Sequence, residues 1–324
     1  MKRNSWVFMM TGILLFAMFL IPGKVYGTVF VDVNAPVGTN DGSSWTNAYL
    51  TIQAGIDASA PGDEIWVADG TYFEAIVLAD TGDILYGGFE GHGGAAETLL
   101  SQRDWQNNES TVDASTADAG NPAIHVVSMV ASVNTRFDGF TVTGGHADGA
   151  AIPDDSAAGI FLINTNDTNI VTNCLVRDNV ANYGGGGIGG AYSDAQIIDC
   201  TITENYAYDG AGIAWPYGIL NISGCTITGN IATRSGGGIS GIECGSVTIS
   251  DCVITGNEAP EGGAGVGFYD SPLTIIDCDI SNNTGTTDGP GAGVFLENQI
   301  SGNSLEIAGC VINNNNVTAP GPRS

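Results

Sequence analysis

The chain has 324 residues, and its 35 acidic side chains against 8 lysines and arginines give a formal charge of −27. A surface of that sign repels nucleic acid and anionic membranes, which excludes both as partners, while it attracts divalent cations such as Ca²⁺. Glycine at 48 positions, with 13% charged residues and no sustained 3.6-residue periodicity after residue 60, excludes a helical bundle and points to an all-β chain rich in turns.

Lys2 and Arg3 precede an apolar run from Trp6 to Ile21, and the small Gly27 follows. Residues 1–27 are read as a secretory signal peptide cleaved after Gly27, with an uncleaved anchor as the alternative. Cleavage removes Lys2, Arg3 and Lys24, so five arginines (Arg103, Arg136, Arg177, Arg234, Arg323) face 35 acids, a charge of −30 with no lysine. That balance also weighs against a polyanionic substrate unless a metal bridges it. The mature chain is expected to be secreted, extracellular or at the outer-membrane surface, and no second apolar run predicts a membrane span.

Residues 28–122 read as an N-terminal cap followed by irregular first coils. Ile52 and Ile56 stand four apart, Ser44 and Thr46 are N-cap candidates, and Pro61-Gly62 stops the pattern, so a helix is expected over 47–59. One amphipathic helix ahead of many short strands suits the role of covering the open first rung of a stacked β structure.

Between residues 171 and 315 one frame recurs six times: a β-branched residue, Cys three later, an apolar residue at Cys+2 and Asn at Cys+5. The cysteines are Cys174, Cys200, Cys225, Cys252, Cys278 and Cys310; the asparagines are Asn179, Asn205, Asn230, Asn257, Asn283 and Asn315. Spacings of 25 to 27 residues, and 32 for the last, mark a stacked repeat. Cys and Cys+2 share one face of a strand, and the apolar residue at Cys−3 requires a bend before Cys. A third anchor follows, Gly then Ile or Val, as in Gly187-Ile188, Gly212-Ile213 and Gly238-Ile239. Three short strands per period predict a right-handed, single-stranded parallel β-helix.

Phe137, Phe140 and Val142 carry the frame upstream, with Gly145 in the Asn slot, so residues 123–316 form the regular repeats and 317–324 a tail or the start of a further region. Eight or nine coils at ~4.8 Å per rung make a rod of roughly 40 Å. In register, inward asparagines can pass amide N–H to carbonyl along the axis, and inward cysteines act as small hydrophobes or pair as disulfides between neighbouring coils. Cys244 lies outside the ladder.

The segments ending in Ile188, Ile213 and Ile239, each paired with Ile-x-x-Asn (Ile202 to Asn205, Ile227 to Asn230, Ile254 to Asn257), resemble the repeats of the polymorphic outer membrane protein family. Val31-Asp32-Val33-Asn34, Gly62-Asp63-Glu64-Ile65-Trp66-Val67 and Tyr86-Gly87-Gly88-Phe89 are similar to the N-terminal region of large secreted bacterial β-helix proteins. The resemblance implies a surface-exposed β-helix, with an adhesive or structural role towards an extracellular polysaccharide or a surface protein. The chain departs from the family in carrying Ile where the repeat has Phe.

Candidate sites lie on the solvent face. Asp178 and Glu204 share the Cys+4 slot on adjacent coils and are the candidate carboxylate pair for a glycoside hydrolase or lyase, against the reading of a repeated acidic surface position. Tyr206, Tyr208, Trp215 and Tyr217 are the candidate sugar-stacking platform. Ca²⁺, the one cofactor considered, has candidate ligands in Asp148, Asp154 and Asp155 of a loop and in the stacked pair Asp251 and Asp277. His92, His125 and His146 have no metal-like spacing. A non-enzymatic binding protein is the preferred reading, and a polysaccharide-active enzyme is the alternative.

Overall fold

The computed structural model describes residues 26–79, 82–94, 97–151, 153–166, 168–286, 291–299 and 303–318; the proposed signal segment, apart from Tyr26 and Gly27, and residues 319–324 lie outside them. The chain winds as a parallel β-helix. One coil runs through Ile219–Ser223, Thr226–Thr228, Ile231–Ser235 and Ile239–Ile242, and Ser246–Ser250 then lies directly beneath Ile219–Ser223. Stacking of these strands builds four parallel sheets, called first to fourth in that order, of ten, nine, seven and eight strands. Identical slots pair coil to coil, as Ile222 with Ile249, Ile227 with Ile254 and Ile239 with Val266.

Four sheets are present where the sequence pattern marks three strands per coil. The additional sheet is the short stretch after each Asn, and its inward residue is an alanine in most coils: Ala147, Ala181, Ala207, Ala232 and Ala259, all buried. A two- to five-residue strand with one small inward side chain leaves no periodic apolar signal.

The corners explain the rest of the frame. The residue before Cys has positive φ in every repeat (Asn173, Asp199, Gly224, Asp251, Asp277, Gly309), and so does the residue at Cys+4 (Asp178, Glu204, Gly229, Gly256, Asn282, Asn314). A left-handed residue costs ~1–2 kcal/mol unless it is Gly or a short polar residue, so these slots fill with Gly, Asn and Asp, with Glu204 the one longer side chain among them.

Inside the corners, the asparagines stack as a ladder. Each Nδ2 donates to the next Oδ1, from Asn179 to Asn205 at 3.1 Å and from Asn205, Asn230, Asn257 and Asn283 onward at 3.0 Å. The same Oδ1 accepts the backbone N–H of the preceding Asn, and Nδ2 reaches a carbonyl of the previous coil, so the buried amides are satisfied. Gly145 caps the ladder by donating its N–H to Asn179 Oδ1 at 3.0 Å.

The cysteines form the neighbouring column and are free. Each thiol lies near the carbonyl two residues back, as Cys200 Sγ to Ile198 O at 3.3 Å, and those of Cys225, Cys252, Cys278 and Cys310 accept the backbone N–H of the Cys one coil earlier, as Cys200 N to Cys225 Sγ at 3.4 Å. Burial holds the Cys200 thiol well above the usual range. Ile and Val at Cys−3 and Cys+2 fill the core, each contributing roughly 1.5–3 kcal/mol by burial.

The helix is shorter than the sequence pattern predicts. It covers Ile52–Ala58, with a 3-10 turn at Trp45–Asn47 ahead of it. Its start is set by Thr51, whose hydroxyl accepts from Ala54 N at 3.3 Å, and by Glu74, whose carboxylate accepts from Ile52 N at 2.6 Å and Gln53 N at 3.1 Å. Ile52, Gly55 and Ile56 are its buried face. Gly55 is required there, because a Cβ would lie 2.5 Å from Val31 of the first rung. The helix therefore covers the N-terminal end of the rod.

Candidate functional site

The fourth sheet carries an open groove on its outer face. Its strands Ile160–Ile163, Ile188–Ala191, Ile213–Pro216, Ile239–Ile242 and Val266–Tyr269 lie side by side. Inward positions alternate large and absent side chains. Trp215 lies over Gly190, where a Cβ would approach the indole to 2.5 Å, and Phe268 lies over Gly241. Outward, Gly189, Ala214, Ser240 and Gly267 make a low floor between the chain corners, about 13 Å across for four residues of strand. The result is an open groove of roughly 290 Å³ whose lining includes Tyr183, Tyr192, Tyr217, Tyr269, Asp209 and Arg234.

Stacked tyrosines rim the groove. Tyr192 and Tyr217 follow the fourth-sheet strands on successive coils, with ring centroids 4.9 Å apart and planes at 8°. Tyr183 and Tyr208 precede those strands, at 5.9 Å and 24°. Tyr192 and Tyr217 have φ of 52° and 58°, in a corner slot that holds Asn164, Glu243 and Asp270 on other coils. A bulky left-handed residue is strained, so two in succession mark this corner as different from the rest. All four rings are exposed, Tyr192 by 65%. Beside Tyr208, Arg234 is held by Asp209, through Nε to Oδ1 at 2.8 Å and through Nη2 to Oδ2. Ser235 donates its N–H and hydroxyl to the same Oδ1 at 3.2 and 3.1 Å, and the guanidinium lies 4.8 Å from the Tyr208 ring centroid.

The four-residue aromatic platform expected from the sequence does not form as a unit. Tyr208 and Tyr217 stand on opposite rims of the groove, and Tyr206 is on the outer face of the third sheet beside Val180 and Ile231. Trp215 is fully buried and donates Nε1–H to Ser193 O at 2.9 Å, because Ile213 and Trp215 alternate inward on their strand. Tyr183 and Tyr192 were not among the sequence candidates. Each precedes its stacking partner by 25 residues, one coil, and that interval is the signal that identifies them.

The acidic candidates are corner residues. Asp178 and Glu204 are exposed at the bend between the second and third sheets, away from the groove, and both take positive φ. Asp178 pairs with Arg177 at 2.6 Å. Asp251 and Asp277 occupy the left-handed slot before Cys. In the loop after the His146–Ala147 strand, Asp154 closes a turn by accepting Gly149 N–H at its carbonyl, 2.8 Å, and Asp155 accepts from Ser156 Oγ at 2.8 Å. Among the described residues, no three His, Cys, Asp or Glu side chains converge as a metal site; Asp251 and Asp277 stack on adjacent coils as the sequence predicts, while Asp148, Asp154 and Asp155 lie apart from them in their loop. The shared slots reflect backbone geometry, which selects Asp and Asn at positive φ whatever the surface does.

Cys244 takes a corner position in line with Ser271 of the following coil. Its N–H donates to Ser271 Oγ at 3.0 Å, its thiol donates to Trp215 O at 2.9 Å, and burial pushes it up to about 11. A second cleft of roughly 330 Å³ runs beside Trp105, bordered by Glu109, Asn173 and Asp199 where the first and second sheets meet. The 97–109 segment beside it is held down by Arg103, which donates to Asp138 at 2.6 Å and lies 5.0 Å from the Tyr86 ring centroid.

No curated protein matches the chain. Among solved structures, it is similar to pectate lyase Pel9A, with a TM-score of 0.40 and 15% identity over 92% of this chain and 79% of that one. It is also similar to a pectin methylesterase mutant in complex with a hexasaccharide (TM-score 0.33, 13% identity, 79% of this chain and 66% of that one) and to rice weevil pectin methyl esterase (0.36, 12%, 84% and 87%). Residues 186–321 match the family model described as the right handed beta helix region, while the likeness to polymorphic outer membrane repeats stays a resemblance. Together with the four stacked parallel sheets, that match identifies the chain as a right-handed parallel β-helix protein.

Proposed function

We propose that this protein is a secreted or cell-surface β-helix that binds an extracellular polysaccharide in the groove on the fourth sheet, without cleaving it. The observation that carries the reading is the double rim of stacked tyrosines, Tyr192 with Tyr217 and Tyr183 with Tyr208, around a floor of Gly189, Ala214 and Ser240. Pyranose C–H faces pack on phenol rings, and phenol hydroxyls exchange hydrogen bonds with sugar hydroxyls. A low floor lets the backbone of the sheet approach the ligand. Secretion is supported by Lys2 and Arg3 ahead of the apolar run from Trp6 to Ile21. Among the described residues, no helix is long and apolar enough to cross a membrane.

The test is a panel of neutral and acidic polysaccharides assayed for binding and for cleavage, with and without Ca²⁺, on the wild type and on a Tyr192→Ala/Tyr217→Ala variant. Binding of at least one glycan, weakened about tenfold or more in the variant, is the expected result (~1.4 kcal/mol per tenfold). Equal binding by wild type and variant removes the groove from the reading. Release of shorter chains replaces it with the enzyme alternative.

A further inference from the structure

We propose that the groove selects neutral hexopyranose chains and rejects uronates, an inference that rests on the glycan-binding reading above. Uronate recognition calls for a guanidinium free to fork a carboxylate. Among the described residues, Arg234 is the only cationic side chain lining the groove, and the side-on edge of its guanidinium, Nε and Nη2, already holds Asp209, which leaves only the Nη1 end for a further contact. Asp209 cannot easily yield that position. It is 8% exposed, and two further hydrogen bonds from Ser235 fix its carboxylate. The Tyr208 ring covers one face of the guanidinium plane, its centroid 4.8 Å from the Arg234 Cζ, and restricts the side chain's movement.

Arg234 therefore enters the groove as half of a neutral pair. The remaining field is negative. Glu243 adjoins Tyr217 and is the main cause holding that phenol above its usual range. A uronate carboxylate entering here gives up water and meets only a guanidinium already neutralised by Asp209, while facing the acids of a chain with five arginines against 35 carboxylates after residue 27. A neutral hexose incurs neither cost. Its hydroxyls can pair with the tyrosine hydroxyls and Ser240, and its ring faces can pack on the tyrosines.

The experiment compares a neutral β-1,4-linked glucose hexamer with an α-1,4-linked galacturonate hexamer by titration calorimetry, using the wild-type protein and Asp209→Asn. For the wild type, the neutral oligomer is expected to bind about tenfold or more tightly than the uronate. Asp209→Asn removes the charge that neutralises Arg234, so the ratio of uronate to neutral affinity should rise about tenfold. A second readout needs no variant. Between ~20 mM and ~500 mM NaCl, neutral binding should stay within about twofold, and any residual uronate binding should strengthen as repulsion is screened.

Wild-type binding of the uronate as tight as that of the neutral oligomer, or uronate binding that weakens with salt, overturns the selectivity while leaving glycan binding in place. Absence of binding by both oligomers overturns the selectivity together with the glycan-binding reading.

Discussion

Asn230 shows what one repeated residue does. Its Oδ1 accepts two N–H groups of Asn205, and its Nδ2 donates to Ile202 O, Thr228 O and Asn257 Oδ1. Asn230→Ala leaves the buried Asn205 backbone N–H without its acceptor and takes the Nδ2 donor from Ile202 O, each costing ~1–3 kcal/mol, so a loss of about 3 kcal/mol is expected in urea unfolding. Asn315 holds the same slot on a rung where Val311, Ile312 and Val317 are exposed, and water can replace its bonds. Asn315→Ala should therefore cost about 1 kcal/mol, and equal losses at both sites would contradict a cooperative buried ladder. The asparagine slots were legible in the sequence because stacking in register demands the same side chain on every coil. The positions of Asp178 and Glu204 were less legible, since a left-handed corner and a carboxylate pair both place acidic residues at this spacing, and the structure adds that both take positive φ.

At the scale of the element, the N-terminal helix depends on Glu74, a residue outside it. Burial raises the Glu74 carboxyl above its usual range, against the hydrogen bonds from Ile52 and Gln53 that lower it. A carboxyl with a raised folded pKa gives stability that is fully present below the unfolded value near ~4.3 and is lost as pH rises through the folded value. The wild type should thus lose part of its stability as pH climbs from ~4.3 towards neutrality. In Glu74→Gln that part of the slope should vanish, as read from urea midpoints across the pH range; an unchanged slope would mean that other carboxyls carry it. The helix itself was legible from Ile52 and Ile56, but its first turn was not. Glu74 lies 22 residues beyond Ile52 and reaches it only through the fold. The fourth-sheet floor follows the same logic: Gly190 and Gly241 look like loop glycines until Trp215 and Phe268 are seen to fill the space they leave.

The whole molecule is a rod with one sign of charge. Five arginines face 35 acids beyond residue 27, and two of the five, Arg103 and Arg136, are spent on Asp138. Self-repulsion should be relieved by salt, so the melting temperature is expected to rise by a few degrees between ~10 mM and ~300 mM NaCl; a flat or falling trend would mean that local ion pairs outweigh the net charge. The sequence by itself determined the coil period, the inward columns of Ile, Cys and Asn, and the capping helix, because a stacked fold repeats its constraints at a fixed interval. The tertiary structure decided what those intervals leave free: that Trp215 points inward, that Tyr183 and Tyr192 join Tyr208 and Tyr217 around one groove, and that Arg234 is already held by Asp209. These facts depend on which side of a corner each side chain leaves the backbone, and residues a full coil apart meet only when the rungs stack.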